Sequence, residues 1–477
     1  MKKIILCIWL CCIAMITYCQ NIHNVVSLKD KKARAAPEWL ETGIVYQIQL
    51  RAFTPEGTLK AATARLKDVA QLGATVIYLC PVFLADDDDD QSTWSPRQKA
   101  SGMNNPRNPY RMADFYRVDP ECGSDDDLKG FITECHRLGL RIMLDMVYLH
   151  CGSKAVFLKE HLDFIVRSED GNAIKAAWNW PALNFENQEL REYLWQNMEY
   201  WVKEFNVDGF RLDVASGVPL DFWEEARSRL EKIRPDIGML AEAAENRRPE
   251  DQLKAFDANY SFVYFGALRD VFANKYPVSH LFDTWNEITN KWPQGARFIR
   301  YFDNHDLSND DWYNRRERDW GFDGCNATFV HLFTLNGIPF IYNGQEVADT
   351  ARHSIFGRAP IYWANGENLA GQLRFDFLKK LCEIRKTEKA LVDGNVKWLS
   401  NDQPQSVLSY SREFGNEKIF VVINLSKTPL RVHVEGVKDI NNKPCTIIIK
   451  DKIIGGDIAD GLDVSGYGYW VGKTGGK

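Results

Sequence analysis

The sequence predicts an α/β protein: an eight-stranded parallel TIM (β/α)8 barrel, a short protruding segment after its third strand, and a C-terminal antiparallel β-sandwich domain. Three observations carry this prediction. Short apolar runs alternate with longer amphipathic segments from about residue 43, the rhythm of βα units rather than of separate α and β domains. The count of apolar runs is eight, which suits a closed barrel, although a doubly wound open sheet would show a similar alternation. Beyond the amphipathic stretch Phe375–Arg385 the texture changes to short alternating runs broken by turns, as in an antiparallel sandwich.

The predicted strands are Gly43–Phe53, Ala74–Val82, Arg141–His150, Gly209–Ala215, Gly238–Ala244, Tyr260–Phe265, Phe298–His305 and Ile338–Tyr342. The predicted helices between them include Leu59–Leu72, Asp125–Leu138, Gln188–Phe205 and Leu220–Ile233, each with apolar residues at three- and four-residue spacing. Residues 151–185 keep no such rhythm and are placed in a segment projecting from the barrel, which spans 37–390. The runs Val407–Arg412, Lys418–Asn424, Leu430–Val434 and Cys445–Lys450 belong to the C-terminal domain, 395–477.

Residues 1–19 read as an export signal. Lys2 and Lys3 precede an apolar stretch, Ile4–Ile16, that is too short to span a bilayer comfortably. Cleavage after Cys19 leads to a periplasmic or extracellular protein with no transmembrane segment in the mature chain; lipidation of Cys19 is the less favoured alternative, because Tyr18 before it is bulky. The seven cysteines beyond the signal are odd in number and lack paired spacing, so they predict buried thiols rather than disulfides or a metal site. A net charge of −6 gives no sign of a basic track for nucleic acid. The 15 tryptophans fit a sugar-binding cleft, although core packing explains any one of them equally well. The acidic run Asp86–Asp90 predicts a solvated loop, with cation binding as the sharper alternative.

In a TIM barrel, chemistry sits at the C-terminal ends of the strands. Asp145 follows Ile142–Leu144, and His150 closes the same run. Arg211 and Asp213 alternate onto one inward face of Gly209-Phe-Arg-Leu-Asp. Glu242 follows Met239-Leu-Ala, and Asn304-His305-Asp306 ends the seventh run. A single carboxylate at a strand end is ordinarily a cap or an ion-pair partner. Several converging on one rim are expensive to desolvate without a purpose.

Taken in order, these segments resemble glycoside hydrolase family 13, the α-amylase family, over nearly the whole chain after the signal. The motifs are Gly73-Ala-Thr-Val-Ile-Tyr-Leu-Cys-Pro81, Asp145-Met-Val-Tyr-Leu-His150, Trp180-Pro-Ala-Leu-Asn184, Gly209-Phe-Arg-Leu-Asp213, Ala241-Glu242-Ala243, Asn304-His305-Asp306, and Gly337-Ile-Pro-Phe-Ile-Tyr-Asn-Gly344 followed by Glu346. The resemblance implies a retaining α-glycosidase acting on α-linked gluco-oligosaccharides by double displacement. Such enzymes use two carboxyls about 5–5.5 Å apart. By resemblance, Asp213 is the nucleophile, kept ionised by Arg211, and Glu242 is the acid/base with its pKa raised. Asp306 grips the sugar hydroxyls as the ring flattens, His150 and His305 hydrogen-bond the same sugar, and Tyr110 of Asn108-Pro-Tyr stacks beneath it. Asp145 joins the substrate-binding set.

Two departures bear on function. The family carries Asn before the His of the third-strand motif, where it binds a structural calcium; Leu149 stands here, so no cofactor is expected and calcium at that site is doubtful. Where α-amylases often show Lys-His after the nucleophile, Ser216-Gly217 stands. Val214-Ala215 is similar to the neopullulanase and cyclomaltodextrinase group, and the chain as a whole resembles the neopullulanase and α-glucosidase-type members. Two alternatives use the same fold: a transglycosylase, and a non-catalytic, transporter-associated homologue that has lost its acids.

Overall fold

The computed structural model describes residues 27–307, 315–437, 445–451 and 453–475. The expected signal, 1–19, lies outside the described residues. Eight parallel strands close into a barrel in sequence order: Val45–Ile48, Val76–Leu79, Arg141–Met146, Gly209–Leu212, Gly238–Ala241, Ala258–Tyr260, Phe298–Arg300 and Ile338–Tyr342. Val45 pairs with Val76 on one side and Phe340 on the other, which closes the ring.

Most strands are shorter than the apolar runs that predicted them. The Gly43–Phe53 run divides into a strand ending at Ile48 and a helical turn, Leu50–Phe53, capped by the Gln49 side chain accepting from Ala52 N–H. The Tyr260–Phe265 run contains only the last residue of a strand, and a helix, Phe262–Phe272, takes the rest. A buried parallel strand and a buried helix both read as unbroken apolar sequence, so periodicity cannot mark the boundary. The residues lost from the ends of the third, fourth, fifth and seventh runs form the turns at the barrel mouth, where Asp213, Glu242 and Asp306 lie.

The helices Leu59–Leu72, Gln188–Phe205 and Leu220–Ile233 have the predicted ends, and Asp125–Arg137 is one residue shorter than predicted. Caps account for several of these ends. Thr58 Oγ1 accepts from Ala61 N–H, Gly73 takes the left-handed conformation at φ 105°, and Ser124 and Asp127 form a reciprocal capping box. The barrel-facing side of the first of these helices buries Leu59, Ala62, Leu66, Val69 and Leu72.

Two excursions stand over the barrel mouth. One follows the second strand: Phe83–Ala85 pairs with Met112–Val118, and a short helix, Pro96–Ala100, lies between them. The other is the protruding segment after the third strand, built of 3-10 turns and isolated bridges such as Ile165 with Leu183. The acidic run is not simply a solvated loop. Asp86 is fully buried, and its carboxylate accepts from Asp88 N–H, Lys154 N–H (each 2.8 Å) and the Ser153 hydroxyl (3.2 Å). Asp87, Asp89 and Asp90 are exposed. Asp86 therefore fastens one excursion to the other. Among the described residues no three His, Cys, Asp or Glu side chains gather as a metal cluster.

The C-terminal domain packs a five-stranded antiparallel sheet against a three-stranded one over a core that includes Phe420, Val422, Val432, Leu462 and Trp470. Its larger sheet is joined to the barrel by buried polar contacts. Tyr410 OH meets Thr334 Oγ1 at 2.6 Å and His331 Nδ1 at 3.2 Å. Arg412 donates to the carbonyls of Thr334 (2.7 Å) and Gly394 (2.8 Å). Six of the seven cysteines are buried thiols, Cys445 is half-buried, and none is bridged. Among the described residues no helix is long and apolar enough to cross a membrane.

Candidate active site

Arg211 organises the barrel mouth. Its side chain has no solvent exposure, and Nη1 donates to Asp145 Oδ1 (2.5 Å) and Asp213 Oδ1 (2.9 Å). Nη2 lies 2.9 Å from Glu242 Oε2 but lacks hydrogen-bond alignment. Glu242 Oε2 instead accepts from Val214 N–H at 2.7 Å. One guanidinium thus faces three carboxyls from the third, fourth and fifth strands. Asp213 and Glu242 are not open rim groups: their side chains are only 8% and 14% exposed.

Burial pushes the Asp213 carboxyl well above its ordinary range, and the charge on Glu242 adds to the push. Arg211 pulls the other way, as an opposite charge beside the carboxyl should, against the larger effect of burial. Burial raises Glu242 as well, against the pull of Arg211. One cation cannot neutralise three desolvated carboxylates, so the cluster retains a proton. Asp213 holds an aligned charge-assisted bond to Arg211 and Glu242 does not.

A second chain of bonds runs from Asp145 to the seventh strand. Asp145 Oδ2 accepts from Tyr78 OH (2.8 Å) and Tyr110 OH (3.0 Å). Tyr110 OH also meets His305 Nε2 at 2.6 Å, and its ring lies parallel to the imidazole with centroids 5.4 Å apart. Gln47 fixes the tautomer. Its Oε1 accepts from His305 N–H (3.2 Å), so its amide nitrogen must be the donor to His305 Nδ1 (2.7 Å). The proton then sits on Nε2, which donates to Tyr110 and frees the phenol hydrogen for Asp145. Burial holds the His305 pKa down to about 4, and that of His150 also to about 4, so both rings are neutral at pH 7.

Asp306 is the most open of the acids, at 38% side-chain exposure. Desolvation pushes it up, but the Arg97 guanidinium, through its charge and its hydrogen bond, helps hold it below the usual carboxylate range. Arg97, on the short helix of the first excursion, donates to Asp306 Oδ1 at 2.7 Å and to its carbonyl at 3.1 Å. His150 Nε2 lies 2.8 Å from the Tyr110 carbonyl. Asp145, Asp213, Glu242, Asp306, Tyr110, His150, Arg211 and His305 therefore form one contiguous cluster.

Sequence reasoning missed three members of this surround. Gln47 and Tyr78 carried a usable signal, each being a polar group inside a buried strand. Arg97 carried none, since an irregular excursion delivers it.

The Leu149 side chain lies against the turn after the fourth strand, so close that a Cβ built on Gly217 would stand 2.9 Å from Leu149 Cδ1. Its carbonyl accepts from Leu183 N–H in the protruding segment at 3.2 Å. The two departures from the family pattern thus touch each other. Calcium needs roughly six to eight oxygen ligands, and an apolar contact at this point does not fit it.

A TIM barrel whose strand ends bring three carboxyls together on one arginine supplies the paired carboxyls that a glycoside hydrolase uses. The family model described as "Alpha amylase, catalytic domain" matches residues 27–175 and 174–372, and the chain belongs to that family. Alpha-amylase 2 of Dictyoglomus thermophilum is 26% identical over 426 residues, covering 82% of this chain and 70% of that protein. A cyclomaltodextrinase of Geobacillus thermopakistaniensis is 26% identical over 438 residues, with coverage of 82% and 70%. Among solved structures, a maltogenic α-amylase of Thermotoga neapolitana aligns with a TM-score of 0.77 at 26% identity, over 91% of this chain and 99% of that one.

Proposed function

We propose that the protein hydrolyses short α-1,4- or α-1,6-linked gluco-oligosaccharides by double displacement, with Asp213 as nucleophile and Glu242 as acid/base. The supporting observation is the unequal hold of Arg211 on its two catalytic neighbours: an aligned bond to Asp213, and proximity without alignment to Glu242. Asp213 attacks the anomeric carbon while Glu242 passes its proton to the leaving oxygen; Glu242 then takes a proton from the water that releases the sugar. Asp306 binds hydroxyls of the reacting ring, His150 and His305 bind the same ring, and Tyr110 lies beneath it. Asp145 sets the phenol and guanidinium in place.

The test is to trap the covalent intermediate with a fluorinated glucosyl fluoride and locate it by peptide mass spectrometry. The label is expected on Asp213; a label elsewhere, with the fold intact, overturns the assignment. Rates on maltotriose, isomaltose, pullulan and soluble starch then address chain length. Short substrates are expected to be favoured, because two excursions crowd the mouth, and faster attack on starch refutes that preference. Products longer than maltotriose would favour glycosyl transfer over hydrolysis.

The same reading makes activity independent of calcium at the family's usual site. Exhaustive EDTA treatment is expected to leave the melting temperature and turnover unchanged. A fall in both, restored by calcium in a variant whose Asp86–Asp90 run has been neutralised, would show the ion bound there after all. Export through residues 1–19 is also part of the proposal, and N-terminal sequencing of the mature protein, expected to begin at Gln20, tests it.

A further inference from the structure

The protruding segment holds two non-glycine residues in the left-handed region, Trp178 at φ 65°, ψ 10° and Asn179 at φ 73°. A bulky aromatic side chain is rarely found there, and such a conformation persists only where its surroundings impose it. Here they do. Asn179 Nδ2 donates to the Ser92 carbonyl of the first excursion at 2.8 Å, Lys175 Nζ donates to Asn179 Oδ1 at 2.8 Å, and Ala176 N–H donates to the Trp180 carbonyl at 2.7 Å. The conformation does not serve burial, because Trp178 remains 41% exposed.

It does serve to place the indole beside the catalytic cluster. The Trp178 ring lies 5.6 Å from His150 and 6.1 Å from Trp180, and Trp180 lies 4.6 Å from His150. Within this group, Trp180 Nε1 and His150 Nδ1 are buried and have no hydrogen-bond partner. The indole N–H can only donate, and the neutral imidazole nitrogen, with the opposite nitrogen committed to Tyr110, can only accept. Buried polar atoms are normally satisfied. An exposed aromatic face beside one free donor and one free acceptor suits a pyranose, whose C–H face stacks on rings and whose hydroxyls both donate and accept.

We propose that Trp178 is the stacking platform for the glucose ring adjoining the one whose bond is broken, with Trp180 Nε1 binding a hydroxyl of that ring. Trp178 is thereby a specificity-determining residue for oligosaccharides over single glucosyl units. This rests on the hydrolytic function proposed above. His150 stands between the platform and Tyr110, so the two rings are served by neighbouring parts of one wall. The Asn179–Ser92 bond ties that wall to the excursion that also carries Arg97.

The experiment compares two substrates. α-Glucosyl fluoride occupies only the reacting position, whereas maltotriose also needs the adjoining one. In Trp178→Ala, kcat/KM for maltotriose is expected to fall about tenfold, mainly through KM, while that for α-glucosyl fluoride stays within about twofold. Trp178→Gly is expected to show the same loss with a melting temperature at or above wild type, because glycine accepts φ 65° freely. Trp178→Phe is expected to restore most of the maltotriose activity. Equal losses on both substrates, an unchanged rate on maltotriose, or a lowered melting temperature in the glycine variant would overturn the proposal. A wild type inert toward α-glucosyl fluoride would instead overturn the hydrolytic function itself.

Discussion

Asp213→Asn is expected to lower kcat/KM on α-glucosyl fluoride by on the order of 10⁴-fold or more, the scale on which removal of an essential catalytic group is usually felt, and to leave the protein at least as stable as wild type at pH 7. The second half follows from the buried setting. Asp213 shares one guanidinium with Asp145 and Glu242, and burial raises its carboxyl above the ordinary range. A carboxyl raised on folding contributes stability that is fully present below its unfolded pKa, near 4, and is lost as pH rises through the folded value. The amide removes that pH-dependent cost, so its advantage in melting temperature should grow from about pH 4 toward pH 7. Glu242→Gln is expected to behave the same way in stability. Its turnover on α-glucosyl fluoride should fall less than on maltotriose, because fluoride departs without a proton. Circular dichroism and thermal melting across pH, read beside turnover, check both halves. Substantial hydrolysis by folded Asp213→Asn would sink the nucleophile assignment.

The other large effect is expected at Arg211. Its guanidinium has no solvent exposure, touches three carboxyls and lies 5.7 Å from the ring centroids of both Tyr78 and Tyr260. Breaking a buried ion pair from one side typically costs about 3–5 kcal/mol, and Arg211→Leu is expected to lose that much at pH 7. The deficit should shrink as pH falls toward 4, where the orphaned carboxyls can take up protons. Urea unfolding of variant and wild type between pH 4 and 7.5 measures it, and a deficit that does not vary with pH would mean that lost packing, not uncompensated charge, dominates. Arg211→Lys is expected to recover part of the stability but little activity, since a point charge cannot bridge both faces of the cluster as a planar fork does.

The sequence made some of this architecture plain and hid the rest for identifiable reasons. Helix ends were legible where a cap announced them, as at Thr58, Gly73 and Asn187. Strand ends were not, because the apolar run continues into the next turn, as at Leu50–Phe53 and Phe262–Phe265. The carboxyls and Arg211 were legible because a charge inside an apolar run demands an explanation. Gln47 gave the same signal more faintly, as an uncharged polar residue. Arg97 and Asp306 are 209 residues apart and meet only because an irregular excursion folds over the mouth. Trp178 lies in a stretch without periodicity, and only its backbone angles and neighbours distinguish it from the other tryptophans.

The junction between barrel and C-terminal sheet bears on how this protein can be cut and recombined. Removing residues after Gly394 would strip His331, Thr334 and the carbonyl of Thr334 of their partners Tyr410 and Arg412, all inside a desolvated seam. A catalytic fragment ending there would expose apolar surface and strand polar groups together, so it should aggregate rather than work as a smaller enzyme. Grafting a foreign sheet in its place would require a matching hydroxyl and guanidinium at the equivalents of 410 and 412. The barrel and the C-terminal sheet are therefore expected to transfer to another protein only together.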